Sequence, residues 1–407
     1  MRRILLRGAR QLLTLRGSHG PRRGPALRQL SIIENGSVLI DSGLIREIGP
    51  TRRVENLLAA RNAEVIDASG MVVMPGFVDC HAHVPGIVLG GAPGTAIATI
   101  VSLAEAVRTV PTSRLHLEHR EVMRRCAEHG TTTVGVLAGF GWNEAADAKA
   151  LRGVLSLPVS PVRAVPSWFG LQLLDPENPD AGHEQAERAS DSLLLAMLRR
   201  GPLEWVHAAC GEGCFDAADC IRYVNSARTL GLRTRLDFAA FGRTSSLREL
   251  LEVEPWTFEH LEFANRDDLR ALADSGTMAV LLPSMVFAQR WPNYVQGRNL
   301  IDVGVPIALG SDFRPGVVDG LSMQFVIYLA CRMMNLTVEE AIVAATMNAA
   351  HALGLAHRIG SIEPGKQADL ILLRTSDYRA LGYEFGVNLV VMTIHSGKIV
   401  SRRTATD

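Results

Sequence analysis

The sequence predicts a (β/α)₈ barrel of the TIM type, together with a small β-sandwich domain built from both ends of the chain. Strand-like apolar runs alternate eight times with segments of helical spacing, and both ends of the 407-residue chain are rich in short strands. Alternating strands and helices are typical of a parallel sheet covered by helices. We therefore expect a barrel over residues 71–360 and a composite β-sandwich from residues 1–70 and 361–407.

The predicted barrel strands are short apolar runs that end at a turn signal or at the start of a helical pattern. They are Val72–His83, Thr131–Leu137, Val162–Trp168, Glu204–Cys210, Leu232–Phe238, Thr257–Phe263, Thr277–Pro283 and Pro306–Phe313. The helical spacing between strands is clearest in Asp267–Ser275 and Val338–Leu353.

The arginine-rich N-terminal segment permits two interpretations. The first 30 residues contain eight arginines, and no acidic residue precedes Glu34, as in a mitochondrial transit peptide. However, Ile4–Leu6 and Gln11–Leu15 have the pattern of short strands, and they lead into a strand–turn–strand pattern over Ser37–Ile45. We therefore expect this segment to be part of the fold, where it pairs with strands near the C-terminus.

Composition and charge exclude several classes of protein. Apolar residues make up 47% of the chain and charged residues 21%, which is typical of a globular enzyme. The formal net charge is zero, which gives no electrostatic basis for binding nucleic acid or a membrane surface. No apolar stretch reaches the length of about 18 residues that suggests a transmembrane helix. Six cysteines without a disulfide framework favour a cytoplasmic location, and a homodimer is left open.

Two distant segments end in side chains that bind metals. His81 and His83 alternate with Ala82 at the end of the first predicted barrel strand, so both imidazoles should point the same way. Asp312 lies at the carboxyl end of the last predicted strand, after its apolar run, and the carboxyl ends of barrel strands gather at one face. The alternative is two unrelated buried strands with incidental polar residues, but two histidines facing the same way favour a metal site.

Further short sequence motifs are distributed along most of the chain. They are Phe258–Phe263, Ala279–Pro283, Ser311–Gly316, Thr346–Ala350, Gly360–Leu370, Phe385–Val390, Gly130–Val134 and the first 80 residues. Together with the Met-Pro-Gly-Phe-Val-Asp start of the first barrel strand, they resemble the amidohydrolase superfamily. Within it, the Ser-Asp-Phe-x-Pro-Gly and Phe-Gly-Val-Asn segments are most similar to the imidazolonepropionase family, which opens a five-membered imidazolone ring.

The resemblance implies a metal centre and a reaction. It assigns His81 and His83 as metal ligands, and Asp312 as both a ligand and the group that takes a proton from bound water. It assigns His260 to polarising the substrate carbonyl. The implied cofactor is one Zn²⁺ or iron ion (Fe²⁺ or Fe³⁺), and the implied substrate is a small cyclic amide whose carbon–nitrogen bond is hydrolysed.

The sequence departs from this family on the fifth strand. The family carries a ligand histidine there in a His-Ala-Asp-Glu run, whereas this chain has Asp237, Phe238, Ala239 and Ala240. Asp237 can still bind metal, but the role of the Glu is lost at Ala240. His207 on the fourth strand is an alternative source of the missing donor, although a histidine supporting the site from behind is the more common case.

The residues expected around the substrate differ more from those of the family than the expected metal ligands do. An Asp-Arg pair after the two histidines is replaced by an apolar run that includes Ile87–Leu89. A Lys-Ser-Gly-Tyr-Gly run becomes Leu137–Gly141, which places Phe140 at the Tyr position, and an Asn becomes Arg314. Arg314, Arg290 and Phe140 are the candidate substrate-binding residues. The apolar replacements predict a less polar cyclic amide than imidazolone propionate.

Two alternatives stay open on sequence alone. The missing fifth-strand His and Glu are also typical of a catalytically degraded relative that binds rather than hydrolyses. A different lactam, hydantoin or exocyclic amide is equally compatible with the fold, because a fold does not determine a substrate.

Overall fold

A computed structural model of the chain describes residues 3–17, 20–83, 96–238, 241–242 and 247–403. The strands fall into two hydrogen-bonded sheets. They are β1 (Ile4–Leu13), β2 (Ile32–Asp41), β3 (Leu44–Pro50), β4 (Glu64–Asp67), β5 (Val72–Pro75), β6 (Phe77–His83), β7 (Thr131–Ala138), β8 (Arg163–Leu171), β9 (Trp205–Cys210), β10 (Arg233–Phe238), β11 (Thr257–Glu259), β12 (Met278–Leu281), β13 (Ile307–Leu309), β14 (Leu370–Leu373), β15 (Val390–His395) and β16 (Lys398–Arg402).

Most of the helices follow barrel strands. The α-helices are α1 (Thr51–Val54), α2 (Ala96–Thr109), α3 (Thr112–Glu128), α4 (Glu144–Leu155), α5 (Gly182–Arg188), α6 (Leu194–Leu198), α7 (Ala217–Thr229), α8 (Leu247–Leu251), α9 (Arg266–Ser275), α10 (Pro283–Ala288), α11 (Gly297–Asp302), α12 (Met323–Met333), α13 (Val338–Ala344) and α14 (Met347–Ala352). Within the described ranges, no helix is both long and apolar enough to cross a bilayer.

Strands β6 to β13 form a parallel barrel in sequence order. The barrel closes between its first and last strands: the Asp312 N–H donates to the His81 carbonyl at 2.9 Å, and the His83 N–H donates to the Phe313 carbonyl at 2.6 Å. The predicted fold class is confirmed. Closure also places the end of β6 directly beside the segment that follows β13, and this juxtaposition positions the candidate site.

The predicted strand Val72–His83 is divided at Gly76 into β5, which pairs in the other sheet, and β6 in the barrel. A Cβ atom at Gly76 would lie 2.4 Å from Cγ2 of Thr132, so only glycine allows the chain to pass here from one sheet to the other. The predicted helix Val338–Leu353 is likewise two helices, α13 and α14. The carbonyl of Ala345 between them accepts a hydrogen bond from the Val78 N–H of β6 at 2.9 Å.

The second sheet combines both ends of the chain in the order β16-β15-β14-β5-β1-β2-β3, with β4 also paired to β1. The two short N-terminal strands predicted from the sequence are one strand, β1, with a register shift between Leu6 and Ala9. Gly8 adopts a φ of 74° within this shift, a backbone conformation that favours glycine. The arginine-rich N-terminal segment therefore lies inside the fold.

Candidate active site

Three side chains that could bind a metal ion meet where the barrel closes. His81 and His83 lie on the same side of β6, and their Nε2 atoms are 3.2 Å apart. The Oδ1 atom of Asp312 lies 3.4 Å from Nε2 of His81 and 3.3 Å from Nε2 of His83. All three residues are buried, and Asp312 adopts a left-handed φ of 48° that turns its carboxylate toward β6.

The spacing of these three donors fits a metal ion. Ligand atoms held in a tetrahedron at bond lengths of about 2.0–2.1 Å are roughly 3.3–3.4 Å from one another. The three measured separations, 3.2, 3.3 and 3.4 Å, agree with this value. Imidazole nitrogen and carboxylate oxygen are also the usual donors for zinc and iron. The residues present therefore fit a divalent ion.

His260 follows β11 and faces the same cluster. Its Nε2 atom lies 3.9 Å from Oδ2 of Asp312 and 3.9 Å from Oδ2 of Asp237, and His81, Asp237 and His260 form a second group of converging donors. Neither ring nitrogen of His260 has a hydrogen-bond partner within the described part of the chain. Burial lowers the pKa of His260, but the carboxylates of Asp237, Glu262 and Asp312 outweigh burial and raise it to about 9.

Asp237 lies on β10, on the inside of the barrel, beside His207 of β9. Its Oδ1 atom is 2.7 Å from Nε2 of His207. Burial raises the pKa of Asp237, but the neighbouring His207 and His260 outweigh burial and lower it to about 2, so the carboxylate is ionised. The carboxylate is thus placed among the candidate ligands, and His207 contacts it from the neighbouring strand.

A buried ion pair that was not predicted from the sequence supports His81. The Nδ1 atom of His81 contacts the carboxylate of Glu259, which also accepts hydrogen bonds from Arg235 Nε at 2.7 Å and Thr257 Oγ1 at 2.8 Å. A carboxylate on Nδ1 fixes the ring so that Nε2 faces the other donors. The available signal was the period-two spacing of Arg235 with Asp237 and of Thr257 with Glu259, which directs these side chains to one side of their strands.

Phe169 of β8 forms an apolar wall that was also missed. Its ring stacks on His83 at a centroid distance of 5.9 Å and packs at a tilted angle against His207 at 4.4 Å. Phe169 stands on the third barrel strand. An aromatic ring there excludes water from one side of the donors and offers no metal ligand.

The three candidate substrate-binding residues lie in different environments. Arg314 is buried, and its NH2 atom is 2.5 Å from Nε2 of His83 and 3.4 Å from Oδ1 of Asp312, so it belongs to the cluster. Phe140 is buried beside Trp142, and its backbone N–H is held by Asp147. Arg290 is exposed after α10, and no contact between its side chain and the donor cluster is found in the described ranges. Ala239, Ala240 and the apolar run 84–91 lie outside the described residues.

Comparison with known proteins agrees with this architecture. Residues 99–401 match the model of the Amidohydrolase family. The chain is 34% identical to an imidazolonepropionase from Geobacillus kaustophilus (strain HTA426), covering 98% of both chains. It is 31% identical to an imidazolonepropionase from Alkaliphilus metalliredigens (strain QYMF), covering 98% of this chain and 97% of the relative.

Solved structures share the fold at low sequence identity. A triazine hydrolase variant superimposes with a TM-score of 0.77 at 17% identity, covering 99% of this chain and 95% of that chain. An atrazine chlorohydrolase from Arthrobacter aurescens TC1, complexed with zinc, superimposes with a TM-score of 0.76 at 16% identity, covering 98% and 95%. With the family match over most of the chain and relatives above 30% identity, the chain belongs to the amidohydrolase family and is imidazolonepropionase-like.

Proposed function

We propose that this protein is a metal-dependent hydrolase that opens the carbon–nitrogen bond of a small cyclic amide, as the imidazolonepropionase name of its relatives suggests. The observation that carries the proposal is the convergence of His81, His83 and Asp312 at separations that fit one metal ion. The barrel over residues 71–360 would carry the site, with residues 1–70 and 361–407 forming the composite domain.

The proposed metal is Zn²⁺, with iron as the alternative. Two imidazoles and a carboxylate suit both ions, and the zinc complex of a protein with the same fold supports zinc. A bound ion of this kind would lower the pKa of its water to about 7 and would so supply hydroxide at neutral pH. Asp237 is a further proposed ligand, because it belongs to the group that also contains His81 and His260.

Asp312 is proposed to transfer the proton. Its Oδ1 atom faces His81 and His83, whereas its Oδ2 atom is buried without a hydrogen-bond partner among the described residues. The free oxygen can accept a proton from the attacking water and deliver it to the ring nitrogen as the carbon–nitrogen bond breaks. The neighbouring Arg314 guanidinium and histidines outweigh burial and hold the pKa of Asp312 well below its usual range, so the base is ionised at neutral pH.

His260 is proposed to stabilise the developing oxyanion. Its Nε2 atom faces the same space as Oδ2 of Asp312, at 3.9 Å. In the metal-free protein the surrounding carboxylates raise the pKa of His260, which favours a protonated ring, and a fixed N–H donor in a buried site stabilises negative charge on the carbonyl oxygen. Removing a single oxyanion donor typically lowers kcat by about 10²–10³-fold.

The experiment that tests this function combines metal analysis with a substrate screen. The purified protein is stripped with a chelator, reloaded with Zn²⁺ or Fe²⁺, and assayed on imidazolone propionate, hydantoins and simple lactams. We expect about one metal per chain and ring opening that depends on it, with both lost in His83→Ala. The exposed His357→Ala serves as the matched control. A protein that binds no metal and opens none of these rings would contradict the proposal.

A further inference from the structure

The guanidinium of Arg314 contacts two of the proposed metal ligands. Its NH2 atom is 2.5 Å from Nε2 of His83 and 3.4 Å from Oδ1 of Asp312. The side chain of Arg314 is 4% exposed, so the contact is shielded from water. A positive charge therefore already lies within contact distance of two of the three donors.

The contact with His83 uses the electron pair that a metal would need. An imidazole nitrogen that accepts a hydrogen bond does so through its lone pair, and metal coordination uses the same lone pair. Nε2 of His83 therefore cannot accept from Arg314 and bind a metal ion at the same time. Oδ1 of Asp312 is less restricted, because a carboxylate oxygen has more than one lone pair.

The backbone of Arg314 cannot move aside easily. Its N–H donates to the Val318 carbonyl at 2.9 Å, and the Val318 N–H donates back to the Arg314 carbonyl at 2.8 Å. The preceding Phe313 is bridged to Ala82 of β6. Release of His83 therefore requires the arginine side chain to rotate.

The Arg314 side chain could also donate more hydrogen bonds than it does in this position. The Nε and NH1 atoms of Arg314 are buried without a hydrogen-bond partner among the described residues. Unpaired buried donors of a charged group are costly, so this position is held mainly by the contacts with His83 and Asp312. When a metal takes over those two groups, little else retains the guanidinium there.

We propose that Arg314 is a tethered cation that competes with the metal for His83 and thereby sets the metal affinity of the site. The inference rests on the metal site of the proposed function and adds a role for Arg314 other than substrate binding. In the metal-free protein the guanidinium occupies the donor cluster. Metal binding displaces the guanidinium from Nε2 of His83, so part of the binding free energy is used to break that contact.

The test measures zinc affinity by competition with a chromogenic chelator at fixed pH and ionic strength. Arg314→Met removes the competing guanidinium while keeping an unbranched side chain. The substitution removes the hydrogen bond from Arg314 to His83, which only the metal-free protein makes, so it destabilises the metal-free state alone. We therefore expect Arg314→Met to bind zinc about tenfold or more tightly than wild type. Arg314→Lys keeps the charge without the planar fork, so its gain should be smaller. If Arg314→Met does not fold, Arg314→Lys decides: equal or weaker zinc affinity than wild type overturns the inference.

The control is Arg290→Met, which removes the same charge from an exposed arginine. We expect its zinc affinity to equal that of wild type. An Arg314→Met protein that binds zinc no more tightly than wild type would overturn the competition, as would an equal gain in Arg290→Met. If His83→Ala keeps full zinc occupancy, the proposed metal site itself is wrong. If His83→Ala loses zinc and Arg314→Met shows no gain, only the inference about Arg314 is wrong.

Discussion

The Nε2 atom of His207 lies 2.7 Å from Oδ1 of Asp237, joining the fourth and fifth strands of the barrel behind the donor cluster. The resembled family carries a histidine on the fifth strand. This chain has Asp237 there, and the carboxylate of Asp237 is held by the imidazole of His207 on the neighbouring fourth strand. An imidazole and a carboxylate are thus both present, but it is the carboxylate of Asp237 that faces His260 and His81.

Asp237 should therefore contribute to metal binding. We predict that Asp237→Ala lowers zinc affinity by at least about tenfold, the usual effect of removing a ligand or the group that orients one. Asp237→His restores a donor, so it should bind metal more tightly than Asp237→Ala and shift the preference between Zn²⁺ and Fe²⁺. Chelator competition measures both variants. Unchanged affinity in Asp237→Ala would place Asp237 outside the metal site.

Breaking the Glu259–Arg235 pair should destabilise the protein more than breaking a surface ion pair. Both side chains are at most 1% exposed, and Arg235 NH2 lies 2.6 Å from Oε1 of Glu259. Glu259→Gln leaves the guanidinium without its counter-charge, and breaking a buried pair in this way costs about 3–5 kcal/mol. Urea unfolding of the metal-free protein measures the loss.

The matched control for this prediction is Glu254→Gln. Glu254 is 80% exposed and lies 3.3 Å from Arg228. Exposed pairs contribute about 0–1 kcal/mol, so the control should unfold close to wild type. Equal losses in the two variants would contradict the prediction for Glu259.

Asp147 should make stability depend on pH. Its carboxyl accepts hydrogen bonds from the Phe140 N–H at 2.7 Å, the Gly141 N–H at 3.3 Å and the Trp168 indole N–H at 3.2 Å. Despite these bonds, burial raises its pKa from 3.8 to about 7. The folded protein therefore binds the proton more tightly than the unfolded chain does. The stabilising contribution is complete below pH 3.8 and is lost as the pH rises through about 7.

We predict that Asp147→Asn removes this dependence. The unfolding free energy of the variant, relative to wild type, should rise between pH 4 and pH 8 by on the order of a few kcal/mol. The exposed Asp274→Asn is the control and should follow the wild-type profile. Parallel pH profiles for Asp147→Asn and wild type would show that the Asp147 carboxyl titrates normally.

Substrate preference should follow the apolar replacements in the sequence. A buried carboxylate without a paired cation is costly, and the arginine that follows the two histidines in the resembled family is replaced in this sequence by the apolar run that includes Ile87–Leu89. We predict that the zinc-loaded protein prefers a less polar cyclic amide over imidazolone propionate, as measured by kcat/KM across a panel of rings. A kcat/KM for imidazolone propionate of about 10⁴ M⁻¹s⁻¹ or more would contradict this preference while leaving the hydrolase function intact.

The sequence by itself predicted the barrel, because apolar period and turn residues are local signals. All eight predicted barrel strands correspond to observed strands, although Val72–His83 is divided between the two sheets. The sequence also predicted that His81, His83 and Asp312 lie close together. In a parallel barrel the first and last strands must be neighbours, and their carboxyl ends lie at the same face.

Only the tertiary structure decided how the polar residues pair inside the barrel. His207 with Asp237 and Glu259 with His81 are contacts between strands, and their partners depend on strand tilt and register, which no local pattern records. The place of Arg314 was likewise undetermined, because a long side chain after a strand can turn outward to solvent or inward to the donors. Barrel closure and the bridge between Arg314 and Val318 direct it inward, against His83.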